Sequence, residues 1–216
     1  MKQIQNFWNW FQDNEQEIKN AFLLHINTKE VFFHLSRNLD YVSKRIGFLI
    51  KEQEKSEKIL IIFTGAGYRK LFAKLIALEE QAPDLKIFKA QAFIKPTLEQ
   101  DKTKQGLDEP YIFENYELKI SQLQFALIDY NIATKKLKLA IFIPHFSVLK
   151  NFEDLHENIS YLLMETIGEI NYRKHIKHFE LEQQHKHQIG LLDLIELQEY
   201  IDYLYKISAR QKPRFI

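Results

Sequence analysis

Apolar positions follow a helical period from the start of the chain. Between Met1 and Leu24, Ile4, Phe7, Trp8, Phe11, Ile18 and Phe22 recur at spacings near three or four, which predicts an amphipathic helix. Val31, Leu35, Leu39, Val42 and Ile46 mark one face of a second helix. Asn27 followed by Glu30 has the form of a capping box, and Ile26 with Val31 that of a hydrophobic staple. Gly47 is the expected stop. Only His25 to Thr28 separate the two runs, so residues 1–47 should form a helical hairpin packed on the body of the protein.

The period then shortens. Phe48 to Lys51 reads as a strand, and Glu52 to Glu57 as a polar turn. Ile59-Leu-Ile-Ile-Phe-Thr64 is the most apolar run of β-formers in the chain. It predicts a strand buried on both faces at the centre of a sheet. Gly65 and Gly67 end it and let the backbone turn into a helix from Tyr68 to Glu80. Pro83 forbids continuation of that helix. From Ile87 to Ile94 the alternation returns, with Phe88, Ala90 and Ala92 on one side.

Pro96 to Pro110 is polar apart from Leu98 and Leu107, and predicts a long exposed loop over 96–110. Strands are expected over Tyr111–Phe113, Glu117–Ile120, Leu123–Tyr130 and Lys136–Ile143, the last two joined as a hairpin by Asn131–Thr134. Phe152 to Thr166 has helical spacing, with Gly168 as its stop. His175 to Glu182 reads as a strand with Ile176 out of step with Phe179 and Leu181. Leu191 to Ile207 is a last amphipathic helix, and Arg210 to Arg214 a solvated basic tail. Hairpins dominate the connections and only one strand–helix–strand unit stands out. The pattern therefore predicts an α+β fold: a mixed, mostly antiparallel sheet covered by helices, in one domain over residues 1–216.

Composition narrows the function classes. Thirty basic and 29 acidic residues leave a net charge of +1, too little excess for a domain whose main work is gripping nucleic acid. The absence of cysteine excludes disulfides, thiolate metal sites and a thiol nucleophile. No secretory leader or membrane-length apolar run is evident, so a cytoplasmic protein with no membrane partner is expected.

Few residues suggest chemistry. The turn of Gly65 and Gly67, followed by Arg69 and Lys70, lies where a strand meets a helix, the usual place for an anion held by backbone N–H groups. It lacks the third glycine of a dinucleotide fingerprint and the Gly-Lys-Ser/Thr of a Walker loop. A plain tight turn is the simpler reading. His175, His178, His185 and His187 cluster, but Lys174, Lys177 and Lys186 are interspersed; solvated histidines explain them better than a metal site. Glu165 and Glu169 flank a helix end and read as solvated. His145 has no nucleophile near it in an elbow motif. Trp8, Trp10 and Phe11 read either as core or as an aromatic patch for a partner.

Two patterns carry a resemblance. One is Phe7-Trp-Asn-Trp-Phe11 with Asn14-Glu15. The other runs from Ile59 through Thr64-Gly65-Ala-Gly67, Ala82-Pro83-Asp-Leu85 and Gln91-Ala-Phe-Ile94 to Gly106-Leu-Asp-Glu-Pro-Tyr111. In these the chain resembles a group of uncharacterised bacterial proteins, many from Bacteroidetes-type organisms, over its first two thirds. Relatives have Trp where Phe88 stands, a conservative core change. The resemblance implies no activity, cofactor or catalytic residue.

The expectation is a non-catalytic binding or interaction module, with no cofactor and with an unknown protein or a second copy of itself as partner. The alternative is a small enzyme acting on an anionic metabolite at the Gly65–Gly67 turn.

Overall fold

The computed structural model describes residues 2–53, 56–96, 98–185 and 189–210. The fold is α+β, with mixed sheets in which antiparallel pairing dominates. Among the described residues the strands divide among three sheets. Contacts divide the chain into two compact units, Met1–Ile94 and Lys95–Ile216, where the sequence suggested one domain. Each unit has its own apolar cluster of helices on a sheet, and roughly 100 residues suffice for such a core.

In the first unit, helices α1 (Lys2–Leu23) and α2 (Thr28–Asp40) pack as the expected hairpin. Strand β1 (Gly47–Lys51) runs antiparallel to β2 (Ile59–Thr64). A 3-10 turn, Arg69–Leu71, leads into α3 (Phe72–Glu80), and β3 (Phe88–Ala92) lies parallel to β2. The sheet order is β1-β2-β3, so the apolar run does sit at the centre, with Ile59 to Phe63 buried throughout. Phe7 and Trp8 meet Phe63 edge-on, each at 5.7 Å between ring centres, and Phe11 meets Phe88 at 5.3 Å. Phe88 thus fills a core position beside α1.

Two details of the hairpin differ from expectation. Asn27 has φ 51, in the left-handed region, and its side chain caps nothing. Its carbonyl instead accepts from the Val31 N–H, while the Thr28 hydroxyl donates to the Ala21 carbonyl. His25 is also left-handed, at φ 56; the left-handed backbone of Asn27 replaces the extended one that a capping residue adopts. Gly47 is no helix stop, since α2 ends at Asp40 and Gly47 opens β1 opposite Thr64. Val42 and Ile46 stay buried beyond the helix.

In the second unit, α4 (Gln100–Lys104) interrupts the segment expected to be a loop. Buried Thr103 anchors it, its hydroxyl donating to the Glu99 carbonyl. A small pair follows, β4 (Tyr111–Ile112) with β5 (Glu117–Leu118). The main sheet is built from β6 (Gln124–Asn131), β7 (Lys136–Ile143), β8 (Ile176–Gln183) and β9 (Leu192–Asp193), in the order β8-β7-β6-β9. β7 is central, antiparallel to β6 and parallel to β8. Between β7 and β8 come α5 (Phe146–Leu149), α6 (Leu155–Ile167) and α7 (Glu169–His175). The final helix α8 (Leu197–Arg210) starts later than expected, because Leu192 and Asp193 pair with β6 and a 3-10 turn intervenes.

Gly168 does stop α6, its N–H donating to the Met164 carbonyl. The chain then re-enters a helix, since the Gly168 carbonyl accepts from Tyr172 N–H. The odd register of Ile176 also has a cause. Leu137 pairs with Ile176 but Lys138 pairs with His178, so Lys177 is a bulge residue. One extra residue lets both Ile176 and Phe179 face the core. No described helix is long and apolar enough to cross a membrane.

Candidate functional site

The aromatic motif of α1 splits by helical phase. Trp8 (1% exposed) and Phe11 (0%) face the sheet, and Trp8 Nε1 donates to the Leu78 carbonyl at 3.1 Å. Both are core, and neither can meet a partner. Trp10 points elsewhere and is half-buried. It lines a cleft of about 510 Å³ with Asn14, Glu17 and Asn20 of α1, Ile26 and Asn27 of the turn, and Glu30, Val31 and His34 of α2.

Residues 10, 14 and 17 are one helical stripe, and 27, 30, 31 and 34 are the stripe facing it across the antiparallel helix. The Asn14 amide donates to the Trp10 carbonyl at 2.7 Å, which fixes it against its own helix. Glu17 and Glu30 are exposed, and neither is in an ion pair with a described residue. The lining therefore combines an indole, side-chain amides, the His34 imidazole and two carboxylates. Ile26 lies exposed at its rim, and Phe33, 60% exposed, stands edge-on to His34 at 5.7 Å.

The glycine turn has a local explanation. Ala66 and Gly67 are left-handed, at φ 47 and 75. A Cβ on Gly65 would lie 3.2 Å from Leu71 Cβ, so glycine lets the corner pack on the following helical turn. The N–H of Ala66 donates to the Thr64 hydroxyl, and that of Tyr68 to the Gly65 carbonyl. Those donors are turned inward rather than toward an anion. Arg69 and Lys70 are exposed on the 3-10 turn, and Arg45 lies 5.0 Å over the Tyr68 ring.

The histidine cluster does not converge. His178 is exposed on β8, 3.9 Å from Glu180, whereas His175 is only 3% exposed at the end of α7. His187 and Lys186 lie outside the described residues, as do residues 211–214 of the basic tail. No group of three His, Asp or Glu suited to a metal occurs among the described residues.

Glu165 and Glu169 are not solvated: both are 0% exposed. Tyr111 and Tyr161 hydrogen-bond to Glu165, the former at 3.4 Å. Burial, followed by the Glu165 charge, raises the pKa of both phenols above its ordinary value. The phenols therefore stay protonated and donate to the carboxylate. This network joins β4 to α6.

Comparison with models of protein families, with curated proteins and with solved structures gave no match.

Proposed function

We propose that the protein is a non-catalytic interaction module. Its binding site is the cleft of the N-terminal hairpin, and its partner is a protein segment presenting a basic side chain beside an apolar one. The reading rests on one observation: Trp10 shares a recess with Glu17 and Glu30, two exposed carboxylates in no ion pair with a described residue. An aromatic face next to carboxylates suits an ammonium or guanidinium group. Exposed Ile26 in the lining, and exposed Phe33 against the lining residue His34, suit a flanking leucine or similar side chain.

Calorimetric titration with a peptide of alternating arginine and leucine tests this, with a glutamate–leucine peptide as control. Only the basic peptide should bind. Trp10→Ala, or Glu17→Gln with Glu30→Gln, should weaken it roughly tenfold. Equal binding of both peptides, or indifference to the paired glutamate changes, would refute the reading.

A further inference from the structure

The second unit holds a recess of about 380 Å³ with the opposite electrostatic character. It is lined by Asn171, Lys174 and His175 of α7 and by Gln198, Asp202, Tyr205 and Lys206 of α8. Asp202 is the one acid in this lining, and it accepts from the Gln198 amide, which in turn accepts from Asn171. Two further cations, Lys135 and Lys136, stand beside the recess. Lys135 and Lys174 have their ammonium groups over the Tyr205 ring, at 5.5 and 5.6 Å. Lys136 donates to the Arg173 carbonyl, and the Arg173 charge acts on it.

His175 is the unusual member. One ring nitrogen donates to the Lys135 carbonyl. The other, Nδ1, is buried and has no partner among the described residues. A neutral ring then carries an unused acceptor in a site otherwise rich in donors. The Tyr130 hydroxyl, close enough to influence Tyr205, is likewise buried without a partner. Buried polar atoms left unsatisfied are uncommon and call for an explanation.

We propose that this recess is a binding site for a phosphate monoester, and that His175 takes up a proton as the anion enters. Entry of the dianion changes the balance at Nδ1. Its charge offsets Lys174, Lys206, Lys135 and Lys136, and so favours the protonated ring. The lysines then hold the phosphoryl oxygens by charge-assisted hydrogen bonds, and the buried imidazolium acts on the anion through its charge. Asn171 and Gln198 meet a hydroxylated body such as a sugar. Burial, opposed by the Lys135 carbonyl and reinforced by Lys174, lowers the pKa of His175, so the ring starts neutral before the anion enters.

Sulfate is the probe for the proton, because it stays a dianion across the range where histidine titrates. In an NMR titration the His175 ring signal, assigned by its loss in His175→Gln, should move its pH midpoint upward on adding sulfate. Each pKa unit gained should tighten sulfate binding, by up to about tenfold, as pH falls from 8 to below the midpoint of the free ring. Ribose 5-phosphate should bind more tightly than sulfate, and ribose not at all. Lys174→Gln with Lys206→Gln, both exposed positions, should weaken both anions. A midpoint indifferent to sulfate would overturn the proposal, as would unchanged affinity in the double lysine variant. Binding of phosphatidic acid vesicles without binding of ribose 5-phosphate would overturn the small-molecule assignment.

Discussion

The carboxylate of Glu15 is buried on the sheet side of α1 and accepts from three successive backbone groups, the N–H of Lys86 at 3.2 Å, Ile87 at 3.1 Å and Phe88 at 3.3 Å. It joins the first helix to the start of β3, and it explains why an acid sits on an apolar face. Glutamine keeps one acceptor oxygen and turns its NH₂ toward donors. Glu15→Gln should therefore cost about 2–3 kcal/mol in urea unfolding; a loss within error would show that these bonds are dispensable. Gly168 makes a parallel case in backbone terms. At φ 82 and ψ 148 it occupies a region open essentially to glycine alone, so Gly168→Ala should cost about 1–3 kcal/mol in the same assay. His175 adds a pH dependence. Its folded pKa lies below the ordinary 6.5, so the unfolded chain binds the proton more readily. The stability it contributes is complete above about pH 6.5 and is lost as pH falls through the lower folded value. In buffer free of sulfate and phosphate, His175→Gln should flatten that part of the stability–pH curve; an unaltered slope would assign it to other groups.

At the scale of elements, the corner after β2 links sequence to packing most directly. Gly65→Ala would bring a methyl within 3.2 Å of both Leu71 Cβ and Cδ1, a cost of about 1–2 kcal/mol by thermal or chemical unfolding. Tolerance of alanine there would mean that the corner shifts freely. β2 and β7 were legible because burial on both faces writes a continuous apolar run, and α1 because its stripe is long. The second strand–helix–strand unit, β7 to β8, was hidden by the break at Gly168 and by the bulge at Lys177, each of which interrupts a period. α4 and α5 are too short to show one. Glu165 and Glu169 looked solvated because the phenols that meet Glu165 come from a neighbouring turn of α6 and from β4, distant in sequence. Trp10 was legible as a candidate but grouped with the wrong neighbours. Helical phase sends Trp8 and Phe11 inward and leaves Trp10 with Asn14 and Glu17.

For the molecule as a whole, the two units follow one sequence of events. In each, an antiparallel hairpin is followed by helix and then by a strand parallel to the hairpin's second member, as β1-β2-α3-β3 and as β6-β7 through α6 and α7 to β8. The second hairpin strand is therefore interior to its sheet in both, paired on either side. Its amides are satisfied by neighbours on both edges, and exposing them requires the surrounding core to open. The polar recesses lie elsewhere, on helix surfaces, where side chains can change without disturbing either centre. Hydrogen exchange should reflect that division. Amides of Ile59–Thr64 and Lys136–Ile143 should be the slowest in their respective units, while the turn around His25 to Asn27, which lines the cleft, should exchange among the fastest. Equal protection of the edge strand β1 and the central β2 would contradict this arrangement. So would protection at the turn as high as in β2, because the hairpin cleft would then be part of the rigid centre rather than a surface adaptable to a partner.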